Sequence, residues 1–263
     1  MIGAIIGDVA GSRFEFDNYR FKDFEFFERG CSVTDDSIMT LAVAKALLDW
    51  KKNPKLDLAE HTVKTMQEIG RPYPGCGYGG RFYQWMYSDN PHPYNSFGNG
   101  AAMRVSPVAY FADSMEEVKE LSAIVTGVTH NHPEGLKGAE ATAVCVWGSL
   151  HKWTKDELFE LASSYYDLNF TIDEIRPTYQ FNETCQNTVP QALKAFFEST
   201  DFEDAIRIAI SAGGDSDTLA CITGGVAGAY YGVPSKIKAQ ALRYIYPPIL
   251  RLYMDIMKGL ETL

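Results

Sequence analysis

The sequence predicts an all-α protein. After Pro107, apolar residues recur at helical spacing almost to the end of the chain. Alternating apolar and polar runs, which are typical of half-buried strands, are scarce, and there is neither a strand–helix–strand rhythm nor an internal repeat. No Ser/Gly linker or change of composition divides the chain, so we predict one domain over residues 1–263.

Composition limits the class of protein further. Hydrophobic residues make up 46% of the chain, which indicates a globular protein with a buried core. The net charge of −10 disfavours nucleic acid or an anionic membrane as a partner. Five cysteines without a CxxC pair are typical of reduced thiols, and no apolar run reaches membrane-spanning length. We therefore expect a soluble cytoplasmic protein without a membrane partner, acting as a monomer.

The first eleven residues carry glycine at every fourth position, at Gly3, Gly7 and Gly11. On a helix this spacing puts all three glycines on one face, where another backbone can approach closely. A buried strand is the alternative, because periodicity alone does not separate the two.

Several later segments predict helices. The clearest is Ser37 to Trp50, which is apolar almost all round and therefore predicts a central core helix. Residues 70–100, rich in glycine, proline and aromatics, predict an irregular functional loop region. The other predicted helices cover Asp57 to Glu68 and residues near 115–127, 134–152, 155–167, 187–198, 201–212, 217–231 and 235–258.

The helix near 217–231 has a second stripe of small residues, at Ala220, Gly224 and Gly228. We expect this stripe to pack against the glycine face of the first segment. Such packing would bring residues 8–15 and 215–218 into one neighbourhood.

Two acidic stretches begin predicted helices near opposite ends of the chain: Thr34-Asp35-Asp36-Ser37 and Asp215-Ser216-Asp217-Thr218. Carboxylates that cluster without cations repel one another, and a set of Asp and Thr oxygens suits magnesium, manganese or calcium rather than zinc. We hypothesise that the stretches meet and hold two metal ions. The alternative is that they are independent helix N-caps, since Asp, Ser and Thr commonly cap helices.

Other motifs carry weaker signals. Glu15 is a candidate acid/base group, although most glutamates are solvated surface residues. The glycine-rich turns at 75–80 and 97–104 offer backbone N–H groups to a phosphate, and Phe97 or Tyr78 offers a ring for stacking. Arg104 is more consistent with a structural pair.

The histidines and cysteines fit other catalytic sites poorly. His130 and His132 make an incomplete zinc set, which favours a capping or ligand-contacting role. Cys31 and Cys221 have no histidine base nearby in sequence, which disfavours a thiol nucleophile.

Taken together, these motifs resemble the ADP-ribosylglycohydrolases, a family that includes the dinitrogenase reductase-activating glycohydrolases. The resemblance spans residue 1 to about 232 and disfavours the independent-cap alternative. It rests on six motifs in the same order as in the family, with a further similar stretch at 181–192: Gly3 to Gly11 followed by Glu15-Phe16, Thr34 to Ser37, Gly77 to Gly80, Gly98 to Arg104, Thr129-His130, and Gly213 to Thr218.

The resemblance implies a compact, orthogonal multi-helix domain with a binuclear magnesium or manganese centre. The implied metal ligands are Thr34, Asp35, Asp36, Asp215, Asp217 and Thr218. The implied substrate contacts are Gly77 and Gly79 at the diphosphate, and Ser96, Phe97, Asn99, Gly100 and His130 around the adenosine and its ribose. Catalytic roles fall to Glu15, Asp36 and Asp215, with Glu15 on a mobile loop as an acid/base group or as a gate.

The implied reaction is hydrolysis of the bond between ADP-ribose and an acceptor, with Asp36 as our hypothesis for the group that takes a proton from water. The substrate would be an ADP-ribosylated protein or a small ADP-ribosyl compound. Arginine, serine, a nucleic-acid base and an O-acyl group all remain open as acceptors, with DNA weakly disfavoured by the charge. Two alternatives are a non-catalytic ADP-ribose-binding protein and a two-metal phosphohydrolase of nucleotide diphosphates.

Overall fold

The computed structural model describes all residues 1–263, and helices connected by loops make up its backbone. No β-strand forms; one isolated antiparallel bridge pairs Gly98 with Thr184. This confirms the all-α prediction. The helices are α1 (Ile2–Gly11), α2 (Asp35–Lys52), α3 (Leu58–Gly70), α4 (Gly80–Met86), α5 (Gly100–Met103), α6 (Val108–Phe111), α7 (Met115–Gly127), α8 (Pro133–Leu150), α9 (Lys155–Ser163), α10 (Ile172–Ile175), α11 (Val189–Glu198), α12 (Phe202–Ser211), α13 (Ser216–Tyr230), α14 (Ser235–Ala241) and α15 (Pro247–Leu260).

The segment with the glycine repeat is a helix, so the strand alternative is wrong. Helix α1 packs against α13, as the two small-residue stripes predicted. A Cβ atom added at Gly3 would lie 2.1 Å from the Gly224 carbonyl oxygen, and one at Gly11 would lie 2.5 Å from the Ser216 carbonyl oxygen. Because residue numbers rise along α1 while those of its contacts fall along α13, the two helices are antiparallel. The C-terminal end of α1 therefore meets the N-terminal end of α13.

Helix α2 lies beside this pair and is buried on most of its surface. It begins at a cap in which the Thr34 side chain accepts a hydrogen bond from the Asp36 backbone N–H. Asp35 and Asp36 lie in its first turn and Lys51 and Lys52 in its last, which is the arrangement that the helix dipole favours. The acidic side chains at the N-terminus of α2 thus face the junction of α1 and α13.

Residues 70–100 contain a regular element, so the prediction of an entirely irregular segment is wrong. Helix α4 forms because Phe82, Trp85 and Met86, at i, i+3 and i+4, bury one apolar face. The glycines that precede it concealed this short pattern.

The single helix predicted over 235–258 is also wrong. Two adjacent prolines, Pro247 and Pro248, have no N–H to donate and are tolerated only in the first turn of a helix. The chain therefore ends α14 at Ala241, passes through a 3₁₀ turn at Leu242–Tyr244, and starts α15 at Pro247.

Other differences concern short elements and ends. Helix α9 ends at Ser163, before the predicted residue 167, and the four-residue helices α5, α6 and α10 were not predicted. One cluster of buried apolar side chains includes residues from Met1 to Ile256. A single domain over 1–263 nevertheless stays a prediction. None of the helices is both long and apolar enough to cross a membrane.

The α1–α13 contact predicts the effect of a single methyl group. In Gly7→Ala the new Cβ would lie 1.9 Å from the Ala220 carbonyl oxygen, so the two backbones must separate. We expect the free energy of unfolding, measured by urea denaturation, to fall by about 3 kcal/mol. In the control Gly127→Ala, at the end of α7, the Cβ meets nothing within 4 Å. That variant should be unchanged or slightly more stable, and equal stability of the two variants would contradict the packing argument.

Candidate functional site

Four segments meet where α1 ends. They are the C-terminal half of α1, the 3₁₀ turn Ser12–Phe14 that leads into Glu15, the N-terminus of α2 and the N-terminus of α13. The two acidic stretches therefore converge, as the sequence predicted. Two groups of three carboxylates have oxygens within 4.8 Å of one another, Asp8 with Asp36 and Asp217, and Glu15 with Asp215 and Asp217.

Asp8 belongs to this cluster, and sequence analysis missed it. Its carboxylate is fully buried and accepts hydrogen bonds from the backbone N–H of Thr34 at 3.0 Å and of Ser37 at 3.1 Å. The hydroxyls of Thr34 and Ser37 donate to it as well. Asp8 thus fastens α1 to the start of α2. The sequence does carry a signal for this residue. Asp8 is a lone charged residue in an otherwise apolar, glycine-rich helix, and none of its neighbours in the sequence accounts for a charge there.

Burial and mutual repulsion raise the pKa values in the cluster. Burial raises the pKa of Asp8 to about 6, against its hydrogen bonds. The pKa values of Asp36 and Asp217 are raised well above the usual range, first by burial and then by neighbouring carboxylates. No lysine or arginine forms an ion pair with any of these groups. The cluster therefore concentrates negative charge without a protein cation to balance it.

Two observations show that the cluster suits a hard cation. The Oδ1 atom of Asp36 is buried and has no hydrogen-bond partner, a state that is costly for a carboxylate oxygen. Its Oδ2 receives only long hydrogen bonds, from Thr34 at 3.4 Å and Thr218 at 3.3 Å. The side chains of the cluster offer carboxylate and hydroxyl oxygens of Asp, Glu and Thr, which are the ligands that magnesium and manganese prefer.

Asp35 and Asp215 are positioned by groups outside the cluster. The Asp35 backbone N–H donates to the Cys76 carbonyl at 2.8 Å. Gly77 has a φ of +99°, and a Cβ there would lie 2.9 Å from Asp35 Oδ1, so only glycine fits beside this carboxylate. The Asn99 side-chain amide donates to Asp215 Oδ2 at 2.7 Å. Asn99 thus holds the Asp215 carboxylate in orientation.

The acidic cluster forms part of the wall of a cavity of about 360 Å³. The segment Gly98–Gly100 continues the wall from the cluster to His130. At one end Asn99 bonds Asp215 of the cluster. The same segment lies against His130, since Cβ atoms added at Gly98 and Gly100 would lie 3.4 and 3.3 Å from His130 Nε2. Every predicted site residue except Thr34 lines the cavity: Glu15, Asp35, Asp36, Gly77, Gly79, Ser96, Phe97, Asn99, Gly100, His130, Asp215, Asp217 and Thr218. Thr34 lies behind it, bonded to Asp8 and Asp36.

His130 is a neutral hydrogen-bond donor to the cavity. Its Nδ1 lies 3.1 Å from the Arg104 guanidinium, which can only donate, so Nδ1 accepts and the proton resides on Nε2. Burial, followed by the positive charges of Arg104 and Arg81, holds the pKa of His130 well below its usual range. The structural partners of Arg104 are therefore Thr129 and His130, with no carboxylate among them.

The remaining histidine and cysteine expectations agree with the structure. His132 caps α8 by accepting from the Glu134 backbone N–H at 3.1 Å, which confirms the capping role. Burial raises the pKa of Cys221 well above its usual range, so it carries no reactive thiolate.

Glu15 occupies the edge of the cluster. Half-burial, then the charges of Asp215, Asp8 and Glu183, raise its pKa to about 7. The chain beyond it is tied down, because Asn18 accepts from the Gly214 backbone N–H at 2.8 Å and Arg20 donates to the carbonyls of Ala212 and Tyr179. Whether this loop is mobile stays a prediction.

Comparison with known proteins agrees with this geometry. ADP-ribosylhydrolase ARH3 of Danio rerio is 25% identical over 89% of this chain and 82% of its own. ADP-ribosyl-[dinitrogen reductase] glycohydrolase of Rhodospirillum rubrum is 26% identical over 76% of this chain and 69% of its own. A solved structure described as an ADP-ribosylglycohydrolase-related protein complex superposes with a TM-score of 0.71 at 22% identity, covering 98% of this chain and 95% of that one, and so shows the same fold.

The sequence profile of the ADP-ribosylglycohydrolase family matches residues 1–260, nearly the whole chain. The chain therefore belongs to the ADP-ribosylglycohydrolase family, and it is an enzyme of the ADP-ribosyl glycohydrolase class.

Proposed function

We propose that this enzyme uses two divalent cations, magnesium or manganese, to hydrolyse the glycosidic bond that joins ADP-ribose to an acceptor on a protein or small molecule. The observation that carries the proposal is the convergence of the buried, uncompensated carboxylates at one wall of a cavity that also presents His130, Phe97 and backbone glycines. Family membership supplies the reaction class.

The residues that would hold the metals are Thr34, Asp35, Asp36, Asp215, Asp217 and Thr218. Asp8 would support them through the α2 N-terminus, where it already uses both of its oxygens in hydrogen bonds. Thr34 would offer its hydroxyl oxygen as a ligand after turning away from Asp8, to which that hydroxyl now donates. Bound cations would supply charge to orient the ribose hydroxyls and to lower the pKa of water at the site.

The chain's own groups account for substrate orientation. Gly79, where an added Cβ atom would meet nothing within 4 Å, leaves room for the diphosphate to approach the backbone, and the neighbouring Gly77 would contact it through its main chain. Phe97, 40% exposed, presents a ring on which adenine can stack. His130 Nε2–H would donate to the nucleoside, with Ser96 and Gly100 beside it. Asn99 would act chiefly by holding Asp215 in orientation.

Proton transfer falls to the carboxylates nearest the bond that breaks. Asp36, with one oxygen unpartnered, would take a proton from the attacking water. Glu15, whose pKa near 7 allows either protonation state, would protonate the leaving group or close the pocket. The water oxygen bonds to C1 of the ribose and the acceptor leaves with a proton, so the products are ADP-ribose and the free acceptor.

The direct test is to incubate the protein with ADP-ribosylated proteins and with free ADP-ribose in the presence of magnesium or manganese. We expect release of intact ADP-ribose from the modified substrates and no reaction of free ADP-ribose. Conversion of free ADP-ribose to AMP and ribose phosphate would instead identify a two-metal phosphohydrolase. Binding of ADP-ribose without any turnover would identify a non-catalytic binding protein.

Metal binding can be measured without turnover. Saturating magnesium or manganese at ~100 times its Kd should raise the Tm by about 5 °C, because the cations bind only the folded chain and relieve repulsion. Asp217→Asn removes the carboxylate that both three-carboxylate groups share. It should raise the metal-free Tm, since one buried like charge is gone, and abolish the metal-induced rise.

The matched control for that experiment is Asp255→Asn, which neutralises an exposed carboxylate on α15. It should keep the full metal-induced rise. Loss of that rise in the control, or its retention in Asp217→Asn, would contradict the proposed metal site.

The role of Glu15 is separable from metal binding. Glu15→Gln should lower kcat by roughly 10²–10³-fold, as loss of an acid/base group does, while the metal-induced change in Tm stays as in the wild type. Glu25→Gln, an exposed neutralisation further along the same loop, is the control and should leave kcat unchanged. Parallel loss of kcat and of metal binding in Glu15→Gln would show that Glu15 is a metal ligand instead.

A further inference from the structure

The cavity beside the acidic cluster has an uneven distribution of charge. Its wall includes two arginines, Arg81 and Arg104, and six carboxylates, those of Glu15, Asp35, Asp36, Glu183, Asp215 and Asp217. A wall of this kind repels a ligand that contains a diphosphate, unless positive charge offsets the repulsion where the phosphates lie. Divalent cations at the cluster would supply such charge at one part of the cavity only.

Arg81 is the arginine that a ligand can reach. Arg104 is 2% exposed, and its guanidinium already donates to Thr129 and His130. Arg81 is exposed and forms no ion pair with a carboxylate. The protein therefore leaves its positive charge unpaired, in a wall that is otherwise strongly acidic.

The Arg81 guanidinium is held on the His130 side of the cavity. One of its N–H groups donates to the Tyr94 carbonyl, and its central carbon lies 4.8 Å from the centroid of the Tyr94 ring. That ring lies 6.0 Å from the His130 ring. After burial and Arg104, the charge of Arg81 is the third cause that lowers the pKa of His130. The guanidinium thus lies near the imidazole that would donate to the nucleoside.

The contact with Tyr94 leaves most of the Arg81 guanidinium free. A guanidinium has several N–H donors in one plane, and the Tyr94 carbonyl uses one of them. The planar fork matches two oxygens of a phosphate group, and such charged pairs are stronger than neutral hydrogen bonds. Free donors and an unpaired positive charge in a ligand cavity suit a phosphate.

The backbone places Arg81 next to the glycine turn at which the diphosphate is proposed to lie. Gly79 caps α4, and Arg81 is the second residue of that helix. The buried side chains of Phe82 and Trp85 fix the helix against the core. The Arg81 side chain therefore extends from a fixed point beside Gly79 toward Tyr94. Under the proposed function, the diphosphate joins the ribose at the acidic cluster to the nucleoside near His130 and passes this side chain.

We propose that Arg81 binds the diphosphate of the substrate and makes the cavity selective for ADP-ribosyl compounds over ribosyl compounds without phosphate. The inference rests on the proposed function and adds to it a binding residue outside the acidic cluster. Because the reaction does not alter the phosphates, Arg81 binds them equally in the ground state and in the transition state. Its loss therefore weakens binding without slowing the chemical step.

The test measures the Kd of ADP-ribose and the Kd of adenosine by calorimetry in saturating magnesium, for the wild type and for Arg81→Gln. Glutamine still offers an N–H group to the Tyr94 carbonyl but carries no charge. The Kd of ADP-ribose should rise by roughly tenfold, since a charge-assisted contact is lost. The Kd of adenosine, which has no phosphate, should change less than about twofold.

Two further variants make the result specific. Arg81→Lys keeps the charge without the planar fork, and its Kd for ADP-ribose should rise by only about threefold. Arg29→Gln removes the same charge from an exposed position outside the cavity and should bind ADP-ribose as the wild type does.

Two further readouts separate a charge contact from structural support. Higher ionic strength should narrow the difference in Kd between the wild type and Arg81→Gln, because salt screens a charge that is open to solvent. With an ADP-ribosylated substrate, Arg81→Gln should raise KM and leave kcat unchanged.

The outcomes are distinguishable. Equal weakening of adenosine and ADP-ribose in Arg81→Gln would show that Arg81 only supports the shape of the pocket. An unchanged Kd of ADP-ribose would show that it does not reach the substrate. Either result would overturn the role of Arg81 and leave the proposed function intact. Absence of both ADP-ribose binding and ADP-ribose release in the wild type would overturn the proposed function, and the role of Arg81 with it.

Discussion

The close backbone contact between α1 and α13 is the constraint on which the site depends. Three glycines of α1 meet main-chain atoms of α13 at distances that leave no space for a side chain. Since the helices are antiparallel, this contact sets the end of α1 against the start of α13. Asp8 and Glu15 are thereby brought to Asp215 and Asp217, residues that lie near the other end of the chain.

This arrangement has an electrostatic cost that the fold offsets only partly. Asp8 is stabilised by four hydrogen bonds from the start of α2, and Asp215 by the amide of Asn99. Asp36 has no such compensation on one of its oxygens. Burying like charges without partners opposes folding, so the cluster is best explained by a ligand of opposite charge. The same repulsion that makes the site costly would supply the affinity for a hard cation that we propose.

Glu15 separates two environments with different chemistry. On one side, glycine backbone, a neutral histidine and a half-exposed phenylalanine suit a nucleotide sugar. On the other, the stacked rings of Phe16 and Phe181 line a second, smaller cavity. Because the chain after Glu15 is bonded to residues 179–180 and 212–214, this second cavity is built from the same elements that position the acidic cluster.

The sequence by itself determined the helical class, most helix positions and the two acidic helix starts, because these follow from patterns within a few residues. The four-residue glycine spacing in α1 and α13 also predicted their contact correctly. The short helix α4 and the break in the chain before Pro247 were not predicted, because their local sequence patterns were weak or misleading. The roles of the predicted ligands stay predictions.

Only the tertiary structure decided where Asp8, Asn99 and the stacked pair Phe16 and Phe181 lie relative to the acidic cluster. Asp8 lies in an apolar helix, and its partners at Thr34 and Ser37 come from another element. Asn99 reaches Asp215, and Phe16 meets Phe181, across separations that no local pattern records. The physical reason is that a side chain's chemistry depends on its neighbours in space, and those neighbours are chosen by helix packing.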